Sequence, residues 1–271
     1  MGLILRAAFG VAFVSGVSTA QAGRGGSAIP ATKPPSALAQ LESATWIERA
    51  KTFLPVPENQ WATPDMRAAL LALYARELRF IVATLVESKG KQGVSDKYGE
   101  EYGEYYTRVF GMCLSYCDRA SLLDVMLNNA RPGSEMRFGM LESLGRFAMR
   151  FPVSQRVRID STLVHGMADT SASVQVAALT GLGMLLRADQ DLGPERRGRI
   201  HRALQAATAA KHPDVRESAV GRLAFLADPA DLPLLTRLAE SDPARSTSRG
   251  VTTYPVREAA HRAITKIKGT P

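Results

Sequence analysis

The sequence predicts an all-α protein, an α-solenoid of stacked helix pairs preceded by less regular helices. Three observations lead there. Apolar residues recur at steps of three and four through most of the chain, the spacing that gathers them on one face of a helix. Four stretches of the C-terminal half align with one another in register. Breakers stand between the helical stretches, namely Arg131-Pro132-Gly133, Leu192-Gly193-Pro194, His212-Pro213 and Asp228-Pro229.

Residues 1–22 read as a signal peptide. A short start carrying Arg6 is followed by an apolar run over residues 7–17, and Ala20-Gln21-Ala22 is an A-x-A cleavage site. The run is about half of the roughly 20 residues that a membrane-spanning helix needs. Arg6 stands where myristoylation of Gly2 requires Ser or Thr. No Cys follows the cleavage site to carry a lipid. The expectation is a periplasmic or secreted protein with no transmembrane segment after signal removal. Residues 23–35, rich in Gly, Ser, Pro and Ala, read as a flexible tether.

Residues 36–117 are helical in pattern but not clearly repetitive. Helices are expected over 36–53, 65–87 and 96–117, the second carrying Leu70, Leu71, Leu73, Tyr74, Leu78, Ile81 and Leu85. The third holds Tyr98, Tyr102, Tyr105 and Tyr106 among acids, of which Glu100, Glu101 and Glu104 read as a solvated face. This part is expected to be one or two degenerate repeats with a capping helix. Cys113 and Cys117 end it. An oxidising compartment favours pairing them. Side chains four apart on a helix, however, hold their Cβ atoms about 5–6 Å apart, against about 3.5–4.5 Å for a disulfide. Two buried thiols are therefore expected.

Residues 118–271 hold the repeat. Met136-Arg137, Val174-Gln175, Val215-Arg216 and Val256-Arg257 align at offsets of 38, 41 and 41 residues. Four residues on stand Met140, Ala178, Ala219 and Ala260; eight on, Leu144, Leu182, Leu223 and Ile264; eleven on, Phe147, Leu185, Leu226 and Ile267. Those steps keep one stripe apolar in every copy. Small residues fill the columns three and nine on: Gly139, Ala177, Ser218 and Ala259, then Gly145, Gly183, Ala224 and Thr265. Such columns let neighbouring helices approach closely. A further helical stretch precedes each copy, over Arg119–Asn129, Val153–Met167, 195–210 and 230–240, and Ser134 and Asp214 are the expected helix caps.

Two helices repeating at about 40–47 residues mark HEAT and armadillo arrays. Asp214-Val215-Arg216-Glu217-Ser218-Ala219 and Pro255-Val256-Arg257-Glu258-Ala259-Ala260 resemble the second-helix signature of HEAT repeats, especially the short variety also found in phycobilin lyases. The resemblance spans residues 119–268 and implies architecture, leaving function open. It also implies that Arg137, Arg216 and Arg257 tie one repeat to the next. Gln175 departs from that column, and His261 stands where an apolar residue is expected. The second copy is therefore expected to bond differently and the last to act as a cap.

Charge bears on the partner, although an excess of this size equally serves simple solubility. The net charge is +8, yet residues 23–130 hold twelve basic and twelve acidic side chains, while residues 131–271 hold twenty-one and fourteen. A basic half attracts anionic partners. For an exported chain these are acidic proteins first, then anionic glycans or lipid surfaces, with nucleic acid the least suited. Arg196, Arg197, Arg199 and Arg202 cluster on a first helix and read as a solvated face. His165, His201, His212 and His261 show no metal-binding spacing, no nucleophile elbow is present, and Gly181-Leu182-Gly183 reads as close helix packing. No catalytic residue, metal or cofactor is expected.

The candidate binding residues lie ten into each copy: Arg146, Met184, Phe225 and Lys266. Ten steps of about 100° turn this column away from the apolar stripe. If second helices line an inner curve, Met184 and Phe225 form an apolar patch flanked by two cations, the kind of surface that binds partners. If second helices are sandwiched, the row simply packs. The expected function is a scaffold or adaptor that binds another macromolecule through a repeat-array surface. The alternative is a lyase-like enzyme using a groove of the solenoid.

Overall fold

The computed structural model describes residues 39, 41, 45–52, 58–87, 94–189, 192–248 and 251–269, so the signal-peptide and tether readings lie outside the described residues. Among the described residues the chain is predominantly helical, and no helix is long and apolar enough to cross a membrane. It divides into two units, Met1–Leu122 and Leu123–Pro271.

The first unit contains α1 (Trp46–Thr52), α2 (Glu58–Trp61), α3 (Pro64–Glu87) and α4 (Val94–Tyr116). The apolar stripe of α3 buries Leu70, Leu73, Tyr74 and Leu78. Against it α4 runs antiparallel: the buried Cys113 and Cys117 thiols, both free, donate to the carbonyls of Leu70 and Arg67 at 3.4 Å each. Tyr74 meets Phe110 with ring centroids 5.3 Å apart. Within the stripe sits Glu77, wholly buried. Its carboxylate accepts from Arg49 at 2.6 Å, from the Tyr102 hydroxyl at 3.0 Å and from the Tyr105 hydroxyl at 3.2 Å. Burial first, and then the Glu77 charge, pushes both phenols up, so each remains a donor. Tyr102 and Tyr105 are thus core residues that tie α3, α4 and α1 together, while Glu101 and Glu104 are exposed as expected.

From α5 (Arg119–Asn129), which straddles the boundary, the chain continues through α6 (Arg137–Phe147), α7 (Val153–Met167), α8 (Ala172–Ala188), α9 (Pro194–Ala207), α10 (Pro213–Leu226), α11 (Leu232–Ser241) and α12 (Pro255–Lys268). Prolines 194, 213 and 255 open their helices, where the missing N–H costs nothing and the ring pre-sets φ. Two expected caps move. Asp214 lies in the first turn of α10, and His212 is the cap, its Nδ1 accepting from the Asp214 N–H at 3.3 Å. The side chain of Ser134 accepts from the Met136 N–H, one residue before α6 begins at Arg137. In both places Pro213 or the preceding turn shifts the first free N–H away from the expected position.

The aligned columns form the core. Met140, Leu144, Ala178, Leu182, Ala219, Leu223 and Ala260 are fully or almost fully buried, whereas Ile264 is only half-buried near the end of α12. Each fully buried leucine contributes about 1.5–3 kcal/mol. Helix α8 packs on α6, α10 on α8 and α12 on α10, and α8, α10 and α12 also pack on α7, α9 and α11 respectively. The small columns make this possible. A Cβ at Gly145 would lie 1.9 Å from the Gly181 carbonyl oxygen, and one at Gly181 would lie 2.3 Å from that of Leu141. One element was not foreseen, a hairpin of β1 (Ser246–Ser248) and β2 (Val251–Thr253) before α12. Its cue is two Ser/Thr/Val runs flanking Arg249-Gly250, a β-branched pattern around a glycine.

The arginine column bonds backbone as well as acids. Arg137 donates to the Ala130 carbonyl at 2.7 Å and pairs with Asp169 at 2.9 Å. Arg216 donates to the Ala210 and Lys211 carbonyls and grips Asp242 bidentately at 2.8 and 2.9 Å. Arg257 donates to the Asp242 carbonyl, and Gln175 to that of Asp169. Every copy therefore closes its own interhelix loop. The first and third also reach a carboxylate of the next copy. Gln175, the departure from the arginine column, ties its own loop alone among the described residues.

The cluster at Arg196 to Arg202 is not a uniform solvated face. Arg196 grips the wholly buried Asp160 at 2.6 and 3.1 Å and reaches Asp189 at 3.1 Å. Arg197 donates to the Leu226 carbonyl, and Arg199 stands 3.5 Å from Asp160. Only Arg202 matches the expectation without such a partner, being exposed on α9. The cause is Asp160, a buried carboxylate on α7 that needs opposite charge to be tolerated.

Candidate functional site

Helices α10 and α12 lie side by side with their small columns facing each other. Ser218, Gly221 and Ala224 on α10 meet Ala259 and Ala263 on α12, leaving a groove of about 420 Å³. That volume lies within the range of about 300–1,000 Å³ typical of ligand sites. At one end stand Asp214 and Glu217; at the other stand Arg222, Phe225, Arg262 and Lys266.

Of the row expected from the sequence, the structure brings Phe225 and Lys266 together. The Lys266 Nζ sits 4.3 Å from the centre of the half-buried Phe225 ring, and both line the groove. Met184 on α8 is half-buried and Arg146 on α6 is exposed, but neither lines it. A second cation on the ring was not foreseen, the Arg187 guanidinium at 4.9 Å. Two cations thus lie over the Phe225 ring.

Arg222 was also missed, though it had a signal. It stands seven residues into its copy, and the other copies hold Ser143, Gly181 and Ala263 there. One long charged side chain in a column of small ones requires space on the neighbouring helix, and Gly183 provides it. A Cβ at Gly183 would lie 2.4 Å from the Arg222 Nε. That Nε donates to the Leu179 carbonyl at 3.0 Å, which fixes the guanidinium plane at the edge of the groove. Burial, then the charge of Arg187, pulls Arg222 below the usual arginine range. Among the described residues, Arg187, Arg222, Arg262 and Lys266 have no ion pair with a carboxylate.

Three histidines have structural duties. His201 meets the buried Asp231 at 2.8 Å, His165 lies 2.7 Å from the Ser161 carbonyl oxygen, and His212 caps α10. Asp214 and Glu217 line the groove together with Arg222, Arg262 and Lys266, so it carries both signs of charge. Its chemistry is that of charge and shape recognition. No family model matches the chain, and no curated protein is similar to it.

Proposed function

We propose that the protein is an exported scaffold, an α-solenoid of HEAT-type helix pairs that binds another protein along its row of second helices. The observation that carries the binding reading is the groove between α10 and α12, with a half-buried aromatic ring between two cations and a floor of small residues. Aromatic and arginine side chains dominate binding energy at protein interfaces. Second helices that each pack on the one before bring side chains of neighbouring helices to one surface, as Phe225 and Lys266 meet here. The Arg137–Asp169 and Arg216–Asp242 pairs support the repeat reading, because each ties the aligned arginine of one copy to the interhelix loop of the next. Export is carried by the sequence of residues 1–22 alone.

Site-specific photo-crosslinking in the native host tests this. A benzophenone side chain at Lys266 should trap a discrete protein partner from the envelope fraction. The same group at Arg202, exposed on α9, should not. Equal trapping at both positions, or at neither, overturns the assignment of the face. N-terminal sequencing should find a start at or near Gly23, and an intact Met1 in the mature protein contradicts export.

A further inference from the structure

We infer that the groove between α10 and α12 takes a short, extended peptide segment of a partner protein that carries both signs of charge. Its acidic side chain sits on Arg222, Arg262 and Lys266, an apolar side chain lies against Phe225, and its basic side chain faces Asp214 and Glu217. The inference rests on the binding reading above and specifies what that surface recognises.

Several features point to an acidic group at one end. Two cations, Arg187 and Lys266, lie over the Phe225 ring, Arg222 and Arg262 line the same groove as Lys266, and none of the four is paired with a carboxylate among the described residues. Elsewhere in this unit arginines beside buried groups do meet acids, as Arg196 meets Asp160 and Arg216 meets Asp242. Arg222, like Arg197, meets a backbone carbonyl instead, and its place is prepared. Its Nε is spent on the Leu179 carbonyl, Gly183 clears the space for it, and its plane is fixed at the groove. A fixed guanidinium plane is the geometry that receives a carboxylate through two parallel hydrogen bonds. Burial first, and then the charge of Arg187, disfavours the charged guanidinium of Arg222, and an arriving anion would offset both.

The other end of the groove decides the class of partner. A polyanion such as nucleic acid, a sulfated glycan or an anionic bilayer would set negative charge along the whole groove, against Asp214 and Glu217. A peptide with separated charges satisfies both ends. Asp214 and Arg222 are eight residues apart on one helix, about 12 Å at a rise of about 1.5 Å per residue. An extended chain covers that distance in about four residues at about 3.3 Å each. The floor of Ser218, Gly221, Ala224, Ala259 and Ala263 lets the backbone of such a segment come close. The motif is therefore a basic residue, three small residues, an acidic residue and an apolar residue.

Capped synthetic hexapeptides of that pattern, made in both chain directions, are the probe, titrated calorimetrically into the full-length mature protein. One direction should bind saturably. Replacing its acidic residue by the amide should weaken binding at least tenfold, and so should Arg262→Gln with Lys266→Gln in the protein. Both cations lie at the surface of α12, and a thermal melt confirms that the double variant is folded. Arg222→Gln should do the same, and Glu217→Gln should abolish the preference for a basic residue at the far end. Tighter binding of heparin or of phosphatidylglycerol vesicles, unaffected by Glu217→Gln, overturns the peptide assignment in favour of a polyanion. If no peptide binds while the Lys266 crosslink still forms, this inference fails and the scaffold reading stands. If the crosslink fails as well, both fall.

Discussion

Replacing Gly145 by alanine adds one methyl group at the closest approach of two helices. The new Cβ would lie 1.9 Å from the Gly181 carbonyl oxygen and 2.3 Å from the Gly181 Cα. A relaxed carbon–oxygen contact is at about 3.3 Å, so α6 and α8 must separate locally by about 1.4 Å. Both obstructing atoms are backbone, so no side chain can swing aside. A gap of about 0.5–1 Å already forfeits a quarter to a half of each dispersion contact across it, and Leu141, Leu144, Ala178 and Leu182 are fully buried there. Overpacking of this kind costs about 1–3 kcal/mol or more, and a rigid obstruction belongs at the upper end. Alanine returns about 0.5–1 kcal/mol through its better helix propensity. The net loss should be about 2–3 kcal/mol. Gly221 is the control, because a Cβ there meets nothing within 4 Å; Gly221→Ala should stabilise by about 0.5–1 kcal/mol. Urea titration followed by circular dichroism measures both. If Gly145→Ala falls within about 0.5 kcal/mol of the wild type, the usual range for a surface site, the close approach of α6 and α8 is wrong.

Two further outcomes follow from the ties and ends of the helices. Asp242→Asn removes the charge that Arg216 grips and should cost about 2 kcal/mol at neutral pH, as lost charge-assisted hydrogen bonds do. Hydrogen bonds from Arg216, and then from the Ala244 N–H, hold the Asp242 carboxyl below its ordinary value. Its contribution is therefore complete above the unfolded value of about 3.9 and is lost as pH falls through the lower folded value. Wild type and variant should converge in stability below about pH 4; a constant difference across that range contradicts the ion pair. Ala227, which ends α10 in a left-handed conformation at φ 51°, should gain about 1 kcal/mol on replacement by glycine, read as a raised melting temperature.

The helical pattern was legible because it depends on local spacing. The reading over Arg119–Asn129 and Val153–Met167 coincides with α5 and α7, and the reading over 65–87 differs from α3 by one residue. The aligned columns correctly marked Leu144, Leu182 and Leu223 as core and Gly145 as a contact point. Features that depend on a partner distant in sequence were harder to see. Glu77 sits at helical spacing between Tyr74 and Ile81, inside an apolar stripe, yet its acceptance there depends on Arg49, Tyr102 and Tyr105. Arg196 looked solvated because its partner, Asp160, lies 36 residues earlier. The site was half legible. Position ten of the repeat pointed to Phe225 and Lys266, which meet, but Arg187 and Arg222 reach the same place from other columns. Arg222 was the readable one, being the single long side chain in a column of small residues.

Phe225→Ser tests the central claim most directly, measured at once by thermal melt and by retention of the crosslinked partner. The ring is mostly but not fully buried at the groove, so its loss should cost about 1–2 kcal/mol, most of the value for full burial, and move the melting temperature by several degrees. Partner retention, compared at equal folded protein, should fall at least tenfold. A destabilisation of about 3–5 kcal/mol, the usual cost of deleting a core aromatic, or full retention of the partner by folded variant, would contradict the account.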